Sequence, residues 1–153
     1  MTDLLELRDE GYDAPVVQEL VAAVQQEYVV RYGGPDETPV DAAEFAPPGG
    51  VFLVGYLGSR AVATGGLRAV DAVTLEIKRM FVVAECRGRG LSRQVLGALE
   101  DRARRLGATR VVLETGERQP EAMRLYETSG YERIEGFGHY CGQDLAVSYG
   151  KML

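Results

Sequence analysis

The residues best suited to chemistry in this chain lie where the pattern of a β-strand changes into that of an α-helix. Thr74 to Val83 is rich in β-branched and apolar residues, and Leu91 begins a series of apolar residues three or four positions apart. Between them stands Arg87-Gly88-Arg89-Gly90, and Arg93 follows in the first helical turn. A glycine-bearing turn that leads into a helix leaves backbone N–H groups free at the positive end of the helix dipole. The stretch therefore predicts a phosphate-binding loop.

Spacing excludes the two commonest phosphate-binding loops. A Walker loop would require Gly-Lys-Ser or Gly-Lys-Thr after a longer glycine-rich turn, which this segment lacks. A dinucleotide fingerprint would require a third glycine where Arg93 stands. The predicted ligand is therefore a phosphate-bearing molecule of another class.

Two motifs in this chain resemble those of one protein family. Arg87-x-x-Gly90-x-Ser92 is similar to the pyrophosphate loop of the GNAT superfamily of acyl-CoA-dependent N-acyltransferases, where Gly or Ala usually replaces Ser92. About thirty residues later, Gln119 to Tyr131 resembles the second motif of that family, Asn-x-x-Ala-x-x-Leu-Tyr-x-x-x-Gly-Phe. Gln119 stands in place of Asn and Tyr131 in place of Phe. The resemblance is good over roughly residues 76–134 and poor over the first seventy.

The resemblance implies an acetyl-CoA-dependent N-acetyltransferase that moves an acetyl group to a primary amine by direct attack in a ternary complex. The alternative is a CoA-binding module that regulates without turnover. In the family, the backbone of the strand before the loop pairs with the pantetheine arm as a further strand would. The cofactor-binding residues that the resemblance implies are Met80, Phe81, Val82, Arg87, Gly88, Arg89, Gly90, Leu91, Ser92, Arg93 and Gln119.

Three residues are candidates for the proton transfers. Tyr126 matches the family tyrosine that commonly acts as general acid, and a phenol of pKa near ~10 can protonate a thiolate of pKa ~8.5. Glu76 and Glu114 occupy strand positions that carry the base in some members, and Glu76 is preferred. Purely structural roles remain open for all three: Tyr126 as a core aromatic, Glu76 as an ion-pair partner of Lys78 or Arg79, and Glu114 as a partner of Arg118.

Composition predicts one globular domain over residues 1–153. The chain is 46% hydrophobic and 26% charged, and it has no apolar run of the ~20 residues that a membrane span needs. Residues 1–6 lack the basic start of a signal peptide, so a cytoplasmic location is expected. Cys86, Cys141 and the lone His139 have no metal-ligand spacing, which argues against a metal site and for reduced thiols.

Charge is distributed unevenly along the chain. The first 58 residues contain eleven acidic residues against Arg8 and Arg31, whereas the remainder contains fifteen basic and twelve acidic residues. An acidic first third could attract a cationic acceptor amine, small molecule or peptide, while the basic remainder holds an anionic cofactor. The alternative is a solvated acidic helix face. The overall charge of −6 argues against nucleic-acid binding.

The order of elements predicts an α/β (α+β) fold like that of GNAT proteins: a mixed, mostly antiparallel sheet of about seven strands with a central parallel pair and helices on both faces. Asp13 is expected to cap the first helix, which Gly33 ends, and Gly65 and Gly66 suggest a bulge or a close backbone approach in a strand. The predicted strands are 4–8, 51–56, 60–70, 73–83, 110–115, 131–134 and 145–152. The family resemblance also allows a homodimer, since closing strands in this family often meet a twin.

Overall fold

The computed structural model describes residues 4–153. Residues 1–3, which belong to the segment used to predict that no signal peptide is present, lie outside the described residues. The strands are β1 Glu6–Asp9, β2 Val51–Leu57, β3 Arg60–Ala69, β4 Thr74–Val82, β5 Arg110–Gly116, β6 Glu132–Ile134 and β7 Ala146–Met152. The α-helices are α1 Pro15–Tyr32, α2 Leu91–Arg105 and α3 Pro120–Thr128, and two 3₁₀ turns span Ala42–Phe45 and Ala84–Cys86.

The seven strands form one sheet in the order β1-β2-β3-β4-β5-β7-β6. Every neighbouring pair is antiparallel except β4 and β5, which run parallel and are connected through α2. A parallel pair needs a crossover connection of this kind, whereas the antiparallel neighbours β2 and β3 are joined by a tight turn. The predicted mixed, mostly antiparallel sheet with a central parallel pair is confirmed.

Helices cover both faces of the sheet, as predicted. On one face the buried α2 residues Leu91, Val95 and Leu99 share a core with Tyr126 of α3. On the other face α1 and the 3₁₀ turn Ala42–Phe45 form a second core with Phe52 and Val54 of β2. The sheet is therefore buried on both sides over its centre, which accounts for the nearly continuous burial of β2, β3 and β4.

The parallel pair separates before its strands end, and this opening defines the site. Pairing between β4 and β5 runs from Thr74 and Arg110 to Ile77 and Leu113, yet β4 continues to Val82 and β5 to Gly116. Just past the last pair, Arg79 has a φ of 59°, a left-handed conformation that is uncommon for a residue with a side chain.

The strand irregularity predicted at the glycine pair of β3 is present, with the extra residue in the neighbouring strand β4. The register between β3 and β4 shifts between Thr64 and Gly66, where Arg79 and Met80 occupy the space opposite one β3 residue. A Cβ on Gly65 would lie 2.8 Å from Leu99 Cδ1, and one on Gly66 would lie 2.7 Å from Phe52 Cδ2. Both glycines therefore permit the close approach of packed side chains to the strand.

The boundaries of the first elements differ slightly from the predictions. The N-cap of α1 is Ala14, with Pro15 in the first turn and no side-chain cap, so the prediction that Asp13 caps the helix was wrong. Proline at this position needs no N–H partner, which lets the helix begin without a capping oxygen. Gly33, with a φ of 80°, ends α1 as predicted.

Candidate active site

A cavity of about 620 Å³ occupies the opening between β4 and β5. Its walls come from the second half of α1, the loop that follows it, the separated ends of β4 and β5, one side of α3 and the loop between β6 and β7. The lining residues that could take part in binding or catalysis include Tyr28, Asp36, Glu37, Lys78, Arg79, Met80, Glu114, Gln119, Tyr126, Tyr140 and Asp144. Widely separated parts of the chain thus meet at one place.

Tyr126 contributes a phenol to this cavity. The residue is 6% exposed, and its ring contacts those of Tyr131 and Tyr149, at centroid distances of 5.7 and 5.9 Å. Its hydroxyl forms no hydrogen bond with another residue in the described range 4–153. Burial raises the pKa of Tyr126, so the phenol stays protonated at neutral pH. The ring is packed as a core aromatic, and the hydroxyl can still donate a proton.

Glu114 brings a carboxylate to the same cavity. Its Oε2 accepts a hydrogen bond of 3.1 Å from the backbone N–H of Tyr140, while its buried Oε1 has no partner among the described residues. Burial raises the pKa of Glu114, and the negative charge of Glu76 adds to this, although the Tyr140 N–H opposes it. A carboxylate of raised pKa that lines a cavity is suited to accepting a proton.

Glu76 lies close by but in different surroundings. It is 4% exposed, and its Oε1 accepts a hydrogen bond of 3.0 Å from Nε of Arg68 on β3, with which Glu76 is in register. It does not line the cavity. The ion pair predicted as the structural role of Glu76, with Lys78 or Arg79, does not form. Glu76 pairs with Arg68 across the strand pair, and Lys78 and Arg79 pair with Asp36.

The alternative ion pair of Glu114 with Arg118 does not form. Arg118 instead donates to the backbone carbonyl of Arg31 at 2.9 Å, and Arg31 donates to the carbonyl of Arg118 at the same distance. This reciprocal contact joins the end of α1 to the segment that leads into α3. The carboxylate of Glu114 therefore lines the cavity without an ion pair to Arg118.

A buried charge cluster lies on the α1 side of the cavity, centred on Asp36. Its Oδ2 accepts from Lys78 Nζ at 3.0 Å and from Arg79 Nη1, and its Oδ1 accepts from Thr38 and from the hydroxyl of Tyr140 at 2.7 Å. Burial alone would favour the neutral acid, but the charges of Lys78 and Arg79 and the hydrogen bonds from Thr38 hold the pKa of Asp36 well below its ordinary value. Asp36 is therefore the counter-ion of two buried cations.

The loop before α2 presents backbone N–H groups as predicted. Gly88 and Gly90 have φ values of 79° and 77°, and a Cβ on either would meet no atom within 4 Å. Gly90 is the N-cap of α2 without a side-chain cap, and the N–H groups of residues 90–93 have no backbone acceptor among residues 4–153. The backbone is thus open to an anion at the helix N-terminus. Leu91 offers only its backbone, since its side chain is buried in the core, whereas Ser92 is half-buried.

The arginines of this segment hold different positions. Arg87 donates from Nε to the carbonyl of Val82 at 2.9 Å and from Nη2 to Glu27 of α1 at 2.5 Å. Arg93 bonds to the hydroxyls of Thr128 and Ser129 at 2.6 and 3.1 Å, which links α2 to the end of α3 without neutralising its charge. Arg89 lies between the two glycines. The loop therefore has positive charge beside the helix N-terminus.

The other predicted cofactor-binding residues flank the opening. Met80 lines the cavity, whereas Phe81 and Val82 follow it along β4 and pair with β3 on their other edge. Gln119 is the N-cap of α3, and its amide donates to the hydroxyl of Tyr32 at 3.2 Å. Its side chain is thus engaged with α1 and does not cap α3.

Sequence reasoning missed several cavity residues: Tyr28, Asp36, Lys78, Arg79 and Tyr140. The periodicity of α1 places Tyr28 on its apolar face as a core residue, although burial and the charge of Asp36 raise the pKa of its phenol. The strongest signal in the sequence is the charged pair Lys78-Arg79 inside a strand rich in β-branched and apolar residues. Burying such charges requires a partner, which here comes from a loop about forty residues away.

Comparisons with known proteins identify the class that this fold and site define. The model of the acetyltransferase (GNAT) family matches residues 17–131, so the chain belongs to the GNAT acetyltransferase family. An IAA acetyltransferase of Azospirillum brasilense is 34% identical over 116 residues, which cover 74% of this chain and 75% of that protein. Four further curated relatives are matched over 42% to 62% of their own length.

Solved structures have the same fold. A Klebsiella pneumoniae structure assigned to the acyl-CoA N-acyltransferases superimposes with a TM-score of 0.84 at 26% identity, covering 99% of both chains. A GNAT family acetyltransferase of Elizabethkingia anophelis with acetyl-CoA bound has a TM-score of 0.69 at 16% identity, covering 99% of this chain and 100% of that one. At that identity the second comparison supports the fold alone.

Residues 4–153 contain neither a membrane-spanning helix nor a cluster of metal ligands. No helix in this range combines the length and apolar character that crossing a membrane requires. No group of three or more His, Cys, Asp or Glu side chains in the same range could hold a metal ion.

Proposed function

We propose that this protein is an N-acetyltransferase that moves an acetyl group from acetyl-CoA to a primary amine by direct attack in a ternary complex. The observation that carries the proposal is the meeting of Tyr126 and Glu114 in the cavity where β4 and β5 separate. An acid and a base in one cavity match the two proton transfers that the reaction needs.

The residues present fit acetyl-CoA, which supplies the activated acetyl group as a thioester. The open N–H groups of residues 90–93 would hold its pyrophosphate, with Arg93, which contacts two hydroxyls, adding positive charge. The free edge of β4 at Met80 would pair with the pantetheine arm. A backbone N–H on this edge would also stabilise negative charge that develops on the thioester oxygen.

Glu114 is the proposed base. A lysine-like amine of pKa ~10.4 is neutral in only about one part in 2,500 at pH 7, a deficit of roughly 4.6 kcal/mol. The Glu114 carboxylate lines the cavity and can take this proton directly or through a water molecule, and its raised pKa makes it a better acceptor than an ordinary carboxylate. The sequence favours Glu76, but its contact with Arg68 and its position outside the cavity favour Glu114 instead.

Tyr126 is the proposed acid. Its raised pKa keeps the phenol protonated at neutral pH. Proton transfer from this phenol to a thiolate of ordinary pKa ~8.5 is uphill, so the reaction requires that exclusion of water from the site raise the basicity of the thiolate as well. Tyr126 would protonate this sulfur.

The acceptor is proposed to be a cationic amine. Of the charged side chains that line the cavity in the described range 4–153, four are acidic and two are basic: Asp36, Glu37, Glu114, Asp144, Lys78 and Arg79. The acidic first third contributes less than its charge suggested, because Asp9 pairs with Arg102, and Glu27 with Arg87. The attraction would therefore come mainly from the cavity wall.

The test is a calorimetric titration with acetyl-CoA beside an assay of thiol release with a panel of amines and peptides. Binding with amine-dependent release of CoA is the expected result, with higher kcat/KM for cationic amines than for carboxylate-bearing ones. Binding without release across the panel would favour the regulatory module instead. Failure to bind acetyl-CoA would overturn the proposal.

A further inference from the structure

Tyr140, in the loop between β6 and β7, makes polar contacts with both sides of the cavity. Its hydroxyl donates to Oδ1 of Asp36 at 2.7 Å and accepts from the backbone N–H of Glu37 at 2.8 Å. Its own backbone N–H donates to Oε2 of Glu114 at 3.1 Å. One residue therefore connects the loop after α1 with the carboxylate at the end of β5.

The same loop encloses the other oxygen of that carboxylate. A Cβ on Gly138 would lie 2.2 Å from Oε1 of Glu114, so only glycine allows the loop to pass this close. The loop turns tightly at this point, since the N–H of Cys141 donates to the carbonyl of Gly138 at 3.1 Å. Residues 138–140 thus surround the Glu114 carboxylate, and the hydroxyl of Tyr140 holds this loop against Asp36 and Glu37 on the opposite side of the cavity.

We propose that Tyr140 is a positioning residue for the acceptor reaction: it orients the Glu114 carboxylate through its backbone and fixes the β6–β7 loop against Asp36 and Glu37 through its phenol. This inference rests on the proposed function. Without the Tyr140 hydroxyl, the β6–β7 loop loses its hydrogen bonds to Asp36 and Glu37. The backbone N–H of Tyr140, which donates to Oε2 of Glu114, is then no longer held in a fixed position. The acceptor side of the cavity should then loosen while the acetyl-CoA side, built from α2 and β4, stays intact.

The pH dependence of kcat/KM for the amine should report the change at Glu114 directly. The groups that act on Glu114 are Glu76 and Lys78 of β4, Asp36 of the α1 loop and the N–H of Tyr140. A hydrogen bond to the charged carboxylate lowers its pKa, so loosening the Tyr140 N–H should raise it. The acidic limb of kcat/KM for the amine should consequently move to higher pH.

The experiment compares Tyr140→Phe with the matched control Tyr56→Phe. Tyr56 also donates its hydroxyl to a carboxylate, that of Glu10 at 3.0 Å, but lies on β2 outside the cavity. Losing the Tyr140 hydrogen bonds should raise KM for the amine about five- to tenfold and change KM for acetyl-CoA by less than about twofold. The control should change neither constant nor the acidic limb.

Hydrogen exchange in the absence of both substrates provides a readout that does not depend on turnover. Amides of residues 136–143 should exchange faster in Tyr140→Phe than in the native protein, with no change in Tyr56→Phe. Unaltered exchange and unaltered amine kinetics would overturn the inference. If the native protein shows no turnover, the proposed function fails. If exchange nevertheless rises in Tyr140→Phe, Tyr140 is only a structural contact, and the positioning role is overturned as well.

Discussion

The proposed site has two ends that are built in different ways. The proposed cofactor end is a continuous segment, residues 80–93, in which the end of β4, a 3₁₀ turn, two glycines and the N-terminus of α2 follow one another, and only its Met80 lines the cavity. The acceptor end is assembled from the α1 loop, β4, β5 and the β6–β7 loop, and its hydroxyl-to-carboxylate contact joins residues 104 positions apart. Because the cofactor end offers mainly backbone N–H groups, its binding groups can stay in place while side chains at the acceptor end are replaced. Changes at the two ends should therefore separate in their effects.

Replacing Asp36 should have the largest effect. Asp36→Asn leaves Lys78 and Arg79 buried without their counter-ion, a change that typically costs about 3–5 kcal/mol of unfolding free energy. Denaturant unfolding measures this loss, and Glu37→Gln, an exposed neighbour, is the control and should be nearly neutral. A loss as small as that of the control would show that the cluster contributes little to stability.

The pKa of Asp36 adds a pH test of the same cluster. A carboxyl whose folded pKa lies below its unfolded value of ~3.9 stabilises the fold above that value and loses the contribution as pH falls below it. The native protein should therefore lose stability on acidification below about pH 4, and Asp36→Asn should lose less over that range. Parallel curves for the two proteins would contradict the assignment.

Replacing the proposed base should have the next largest effect. Glu114→Gln should lower kcat/KM for the amine about 100- to 1,000-fold, the usual contribution of a general base, with little change in acetyl-CoA affinity. Steady-state kinetics with calorimetry measures both, and Glu76→Gln is the comparison. If the Glu76 variant loses more activity at equal stability, the base is Glu76 and the interpretation of the cavity is wrong.

The contrast between the two ends also explains what could be read from the sequence. The strands, the irregularity at the glycine pair and the glycine turn before α2 depend on local patterns, namely alternation, paired glycines and a glycine before a helix. The partner of Glu76 depends on the register of β4 against β3, which places Arg68 across from it. The contacts of Tyr140 depend on tertiary packing of two loops, for which a single sequence carries no periodic signal.

Replacing the proposed acid should have a smaller effect. Tyr126→Phe removes only a hydroxyl that has no partner within residues 4–153, so stability should be nearly unchanged. We expect kcat to fall about 10- to 100-fold, because water can still protonate part of the leaving thiolate, while acetyl-CoA binding persists. Tyr131→Phe is a control of the same chemistry outside the cavity, and its hydroxyl bonds Glu100 at 2.8 Å. Unchanged turnover would remove Tyr126 from the mechanism.

A change at the cofactor end should give the smallest effect and should leave the acceptor end untouched. Gly90 has a φ of 77° at the N-cap of α2, where a residue with a Cβ pays roughly 1–2 kcal/mol to adopt the left-handed conformation. No atom lies within 4 Å of the added carbon, so Gly90→Ala should fold but relax the turn and misdirect the N–H groups. The Kd for acetyl-CoA should rise about tenfold, while the acidic limb that reports Glu114 stays in place. Gly97→Ala, a helical position with open space, is the control. A shift of the acidic limb in Gly90→Ala would mean that the two ends of the cavity are coupled.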